Sequence, residues 1–177
     1  MRNLAIAAAL MLAAAPAVAA LSPGSKAPDF TTRGAMAGKV STIHLADQLK
    51  KGPVVLYFFP AAFTSGCSAE ARAFAEKIDA FKAAGATVIG MSADPIEPLV
   101  KFSSADCAGK FTVASAGPAV VAGYDVALGR AIAGRQVTKR TSYVIDRNGR
   151  IVFVHDDMNP GEHVALTLAA VQKLRAR

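Results

Sequence analysis

The stretch Val54-Val55-Leu56-Tyr57-Phe58-Phe59-Pro60-Ala61-Ala62-Phe63-Thr64-Ser65-Gly66-Cys67-Ser68-Ala69-Glu70 decides how this chain is read. Its first six residues are an unbroken apolar run rich in β-formers. A strand with one wet face alternates apolar and polar residues; an unbroken run is buried on both faces and belongs in the middle of an α/β sheet. Pro60 ends the run, because proline has no N–H to give a ladder. From about Ser65 to Ala84, Phe74, Ile78 and Phe81 recur at helical spacing, with Arg72, Glu76, Lys77 and Lys82 on the other side. Gly85 suits the left-handed residue that follows a helix. Thr87 to Met91 is a second β-run, so strand, helix and strand form a βαβ unit with parallel strands.

Working outward, residues 20–52 read as a lead-in marked by Gly, Pro and Ser, with a short helical piece around His44 to Lys50. Asp94-Pro95 reads as an N-cap followed by proline at the first helical position. It opens a helix to about Asp106, with Ile96, Val100 and Ser103 on one face and Cys107 continuing it. Phe111 to Ser115 is extended, and 117–139 is loose and Gly-marked. Ser142 to Asp146 and Ile151 to His155 flank Asn148-Gly149, a hairpin signal. Asn159-Pro160-Gly161-Glu162 reads as a capping box. It opens a last helix carrying Val164, Leu168 and Val171 and ending in Lys173, Arg175 and Arg177. The order β-α-β-α-extended-β-β-α matches a thioredoxin-like α/β layout, a central mixed sheet with helices on both faces.

The chain has 177 residues, a formal net charge of +7, 53% hydrophobic residues and two cysteines. It shows no repeat and no low-complexity stretch, so residues 20–177 are expected to be one domain. Residues 1–19 read as a secretory signal peptide: Arg2, an apolar run from Leu4 to Ala15, and Ala17-Val18-Ala19 as the cleavage signal. The run is shorter than the ~20 apolar residues of a membrane span. A periplasmic or secreted protein cleaved after Ala19 is expected. The Lys and Arg residues are scattered and lack interleaved aromatics, which argues against nucleic acid. His44, His155 and His163 are far apart, and His155-Asp156-Asp157 lacks further matched ligands, so no metal is expected. Gly123, Gly129 and Gly134 do not follow a strand in phosphate-loop spacing, so no nucleotide or other cofactor is implied.

Chemistry concentrates at Cys67. It falls in the first turn of a helix that follows a buried strand, where free backbone N–H groups and the helix dipole favour an anion. Such surroundings lower a thiol pKa from its free value of ~8.5. Thr64, three residues earlier, has a hydroxyl able to serve whatever sits at the sulfur. Thr64 also stands where a Cys-x-x-Cys pair would have its first cysteine, which argues against a dithiol oxidoreductase. Two cysteines in an exported chain also admit a plain structural Cys67–Cys107 disulfide, in a thioredoxin-fold binding or interaction module without catalysis.

Pro60-x-x-x-Thr64-x-x-Cys67 after a hydrophobic strand resembles the active-site loop of peroxiredoxins, the AhpC/TSA superfamily. Gly24-Ser25-Lys26-Ala27-Pro28-Asp29-Phe30 is similar to the family's N-terminal signature, and Glu70 stands three residues after the cysteine as in the family. Arg140-Thr141-Ser142-Tyr143-Val144-Ile145-Asp146 is similar to its arginine-bearing strand. Thr-x-Gly-Cys, here with serine between Thr64 and Gly66, and the compact C-terminus look most like the PrxQ/bacterioferritin-comigratory branch. The resemblance implies a thiol-dependent peroxidase reducing hydrogen peroxide or organic hydroperoxides. Cys67 would be the nucleophile; Thr64 and Arg140 would bind peroxide and activate the thiol. Pro60 would shape the pocket, and Glu70 would orient Arg140. The branch often carries its second cysteine five residues after the first, where this chain has Arg72. Cys107 then resembles the alternative resolving position, giving an intramolecular disulfide recycled by a thioredoxin-like or other dithiol reductant. A monomer or homodimer is expected.

Overall fold

The computed structural model describes residues 20–132 and 134–176; the expected signal peptide and Arg177 lie outside the described residues. Val54–Phe58 is strand β3, buried at every position. Its residues alternate between two cores: Val55 and Tyr57 face one, and Val54, Leu56 and Phe58 face the other. β3 lies inside a seven-stranded mixed sheet of order β2 (Lys39–His44), β1 (Thr31–Met36), β5 (Thr112–Ser115), β4 (Thr87–Ser92), β3, β8 (Thr141–Ile145), β9 (Ile151–Asp156). β3 runs parallel to β4, and β4 to β5, as a βαβ crossover requires. β8 joins β3 antiparallel, pairing Phe58 with Thr141 and so bringing the residue before β8 to the C-terminal end of β3.

Helices α2 (Ser65–Ala83), α3 (Ile96–Ala105) and α5 (His163–Arg175) cover the Val55/Tyr57 face. The shorter α1 (Leu45–Leu49) and α4 (Pro118–Gly123) pack on the other. The expected thioredoxin-like α/β architecture is thus the observed one. On the first face Tyr57 stacks on Phe74 at 4.3 Å between ring centroids. Fully burying side chains of this size stabilises the fold by roughly 1.5–3 kcal/mol each. Gly90 on β4 makes room for the ring, since a Cβ there would lie 2.8 Å from the Tyr57 hydroxyl. Among the described residues, no helix is long and apolar enough to cross a membrane.

The structure departs from the sequence reading in several places. The lead-in contains the β1–β2 hairpin, and 117–139 contains α4 and a separate ribbon of β6 (Ala127–Ile132) and β7 (Arg135–Thr138). α3 begins at Ile96 with Pro95 as its N-cap, because the Asp94 carboxylate is drawn instead to the amide of Ala62 and the hydroxyl of Ser92. Its buried face is Ile96, Leu99, Phe102 and Ser103, not a stripe through Val100. α5 begins at His163 with no side-chain cap: Asn159 closes its own turn onto the Gly161 N–H, so the expected capping box does not form. The β8–β9 hairpin forms, with Asp146 accepting from the amides of both Asn148 and Arg150 across the turn.

Candidate active site

β3 ends at a loop, 60–64, that is pinned just before its start and again at its middle. The Thr138 hydroxyl donates to the Phe59 carbonyl at 2.8 Å, and the Ala62 N–H donates to Asp94 Oδ2 at 2.7 Å. Within it Pro60 is buried, while Phe63 adopts a left-handed φ of 64° and leans edge-on against Phe102. A bulky residue in that region is strained by about 1–3 kcal/mol, a feature that clusters at functional sites. Phe63 is 51% exposed, so it forms a rim rather than core. The loop then delivers Thr64 as N-cap of α2, in extended conformation, and places Cys67 as the third helical residue. The first intrahelical bond runs from the Ser68 N–H to the Thr64 carbonyl at 2.8 Å. The amides of Ser65, Gly66 and Cys67 precede it, in the orphan positions of a helix start.

Arg140, the residue before β8, divides its donors among three partners. Nε donates to the Met158 carbonyl at 3.0 Å, one terminal nitrogen to Glu70 Oε2, and the other to Cys67 Sγ at 3.4 Å. Cys67, Glu70 and Arg140 are all buried. A fork of donors fixed by a carbonyl and a carboxylate aims its remaining charge at the sulfur, which neither a flexible ammonium nor a surface arginine achieves. Against the cost of burial, Glu70 and the sulfur hold the guanidinium's proton more tightly than usual. Burial raises the Glu70 carboxyl to about 7, more than Arg140 lowers it. Behind this group lies His163, fully buried, its imidazole held neutral by burial with its pKa lowered to about 4.

The expected site residues fall in two groups. Cys67, Glu70 and Arg140 come together, Pro60 is buried at the start of the loop that leads to them, and Thr64 stands at the helix entrance. The Thr64 hydroxyl is exposed and donates to the Ala61 carbonyl at 3.1 Å; as the N-cap side chain it makes no capping bond. Cys107 lies beyond the end of α3, wholly buried in the same core cluster as Cys67. Burial, with the charge of Asp106 beside it, pushes its thiol well up. Asp106 is itself clasped by α2, accepting from the Ser68 hydroxyl at 2.9 Å and from Arg72 at 2.6 Å. Cys67 and Cys107 are not bridged in the structure. Sequence reasoning missed Asp94, the Met158 carbonyl and His163. A backbone carbonyl leaves no sequence signal, and the contacts that tie Asp94 to the Cys67 loop and His163 to Ser142 and Glu70 span 21 or more residues.

A buried cysteine at a helix start, forked to an arginine that a glutamate holds, matches a known pattern. The AhpC/TSA family model matches residues 23–154. The chain belongs to the AhpC/TSA family. It is 34% identical over 157 residues to a chloroplastic peroxiredoxin Q from Oryza sativa subsp. japonica, covering 87% of this chain and 68% of that protein. To the chloroplastic peroxiredoxin Q of Suaeda salsa it is 35% identical over 160 residues, covering 89% and 71%. Among solved structures, peroxidoxin BcpB from Mycobacterium tuberculosis superposes with a TM-score of 0.76 at 28% identity, covering 86% of this chain and 97% of that one. Peroxiredoxin Q of Xanthomonas campestris shares the fold, with a TM-score of 0.68 at 23% identity over 81% and 90%. This peroxiredoxin is a thiol-dependent peroxidase, and the relatives it matches include chloroplastic peroxiredoxin Q proteins.

Proposed function

We propose that Cys67 is the peroxidatic nucleophile. Its thiolate attacks the terminal oxygen of the peroxide, the O–O bond breaks, and the products are Cys67 sulfenic acid and an alkoxide or hydroxide that takes up a proton. The single observation that carries this reading is the 3.4 Å contact from Arg140 to Cys67 Sγ. A guanidinium held there stabilises both the thiolate and the charge that develops on the leaving oxygen. The first-turn amides and the Thr64 hydroxyl, rotated from its Ala61 bond, would hold the peroxide in line with the sulfur. Pro60 walls the pocket, and Glu70 keeps the guanidinium in its fork. No cofactor takes part in these steps.

Cys107 is the proposed resolving thiol. It would attack the sulfenic sulfur, releasing water and forming an intramolecular Cys67–Cys107 disulfide, which a thioredoxin-like or other dithiol reductant reopens by exchange. Its burial and high thiol pKa mean that it reacts only after its segment and the first turn of α2 open. We further propose an exported, periplasmic or secreted protein acting as monomer or homodimer, with residues 1–19 as signal peptide and 20–177 as the peroxidase domain. Arg2, the apolar run after it and Ala17-Val18-Ala19 support this.

Stopped-flow peroxide consumption tests the reading. Cys67→Ser is expected to fall to the uncatalysed level. Cys107→Ser is expected to complete one turnover and then accumulate sulfenic or sulfinic Cys67. Rapid consumption by Cys67→Ser would overturn the nucleophile assignment. Full thioredoxin-coupled cycling by Cys107→Ser would overturn the resolving one.

A further inference from the structure

His163 has two ring nitrogens and an unusual neighbour. Nε2 lies 2.9 Å from the Asp157 carbonyl, which can only accept, so Nε2 carries the hydrogen. Nδ1 of the neutral ring is then a bare lone pair. The Ser142 hydroxyl, 2.8 Å away, donates to it. Also facing Nδ1, at 3.8 Å, is Glu70 Oε1. This oxygen is fully buried and has no hydrogen-bond partner, while its twin Oε2 accepts from Arg140. An ionised Glu70 would therefore hold an unsatisfied anionic oxygen against another acceptor, and burying an unpaired acceptor is costly. A proton on Oε1 removes the conflict: the oxygen becomes a donor that competes with the Ser142 hydroxyl for the single Nδ1 lone pair, and Oε2 continues to accept from Arg140.

We propose that His163 is a positioning residue for the Cys67 centre: its Nδ1 lone pair keeps a proton on Glu70 Oε1, so that the charge of Arg140 is spent on the Cys67 sulfur rather than on a carboxylate. The Glu70 carboxyl pushed up to about 7 by burial agrees with this placement. The groups that face the carboxyl are Arg140 from the start of β8, Cys67 one turn earlier on α2, the buried unpartnered Tyr57 hydroxyl from β3, and His163 from α5. His155 from β9 packs edge-on against His163, with ring centroids 4.5 Å apart. The proposal rests on Cys67 being the reactive thiol, and the test separates the two.

The ¹³Cδ resonance of Glu70 is followed against pH in the full protein, alongside the rate of Cys67 alkylation by iodoacetamide. In the wild type the carboxyl is expected to titrate near neutrality. His163→Gln supplies an amide N–H to Oε1, which favours the carboxylate, so the midpoint is expected to fall by about one unit and alkylation at pH 6.5 to slow by roughly fivefold. Ser142→Ala removes the hydroxyl that competes for the lone pair, so the midpoint is expected to rise. A merely structural disturbance would not move the two variants in opposite directions. A carboxyl already ionised at pH 5 in the wild type, or equal shifts in both variants, would overturn the proposal. Carboxyl midpoints that move as stated beside a wild-type Cys67 no faster than free cysteine would instead overturn the nucleophile assignment.

Discussion

Cys67 and Cys107 are hidden from solvent to the same degree, 1% and 0% exposed, within one core cluster. Their surroundings differ in sign. Cys67 sits at the positive start of α2 with a guanidinium on its sulfur. Cys107 sits past the negative end of α3, next to a buried carboxylate, with its thiol pushed up. Burial alone therefore does not make a cysteine inert or reactive; the charge and dipole that share the burial do. Under the proposed roles the arrangement also separates the two in time, the first thiol acting in the folded state and the second only when its segment opens.

The sharpest way to break this contrast is to remove the guanidinium. Arg140→Ala is expected to slow peroxide reduction by about 100- to 1000-fold in stopped-flow measurements. A loss of less than threefold would mean that the helix start alone arms Cys67. Next comes the proton-linked group that only the Cys67 side possesses. Glu70 is raised from 4.5 to about 7 in the fold, so its contribution to stability is fully present below 4.5 and is lost as pH rises through 7. Relative to Glu70→Gln, the wild type is expected to lose about 3 kcal/mol between pH 4.5 and 7 in urea unfolding. A parallel pair of curves would remove the asymmetry.

On the other side, Asp106→Asn takes away a like charge and loosens the clasp on α2. Alkylation of Cys107 is expected to quicken by roughly three- to tenfold. Arg72→Ala breaks only the exposed half of that clasp, since the Arg72 side chain is 66% exposed. Its effect on stability is expected to stay within about 1 kcal/mol, with a smaller gain in Cys107 alkylation than Asp106→Asn gives.

The parts of the molecule legible in the sequence were those whose signal is local. The apolar run of β3, the Phe74/Ile78/Phe81 stripe of α2 and the loop to Cys67 each declare themselves within a few residues. β1 and β2 did not, because most of their residues are exposed and their extended form depends on pairing with each other and with β5. The β6–β7 ribbon is similar, its pairing shifted in register between Ala127 and Ala131. Asp94 and Asn159 were misread for one reason: each has the chemistry of an N-cap, and each spends it elsewhere, Asp94 on the loop before Cys67 and Asn159 on its own turn. At the site the side-chain identities were legible. The direction of the Thr64 hydroxyl and the place of His163 were not, because both depend on which distant oxygen is nearest.

One feature of β3 reaches beyond the site. Both cysteines hang from the layer of α2, α3 and α5, whereas Phe58, Tyr124 and Tyr143 interlock on the opposite side of the sheet, at centroid distances of 5.4 to 6.1 Å. That second layer is a keel. If, as proposed, the first turn of α2 and the segment after α3 let go to bring the two sulfurs together, the central strands remain ballasted from beneath, and amide exchange in β3 and β8 should stay slow through every turn of that cycle. The enzyme can loosen one deck repeatedly without capsizing.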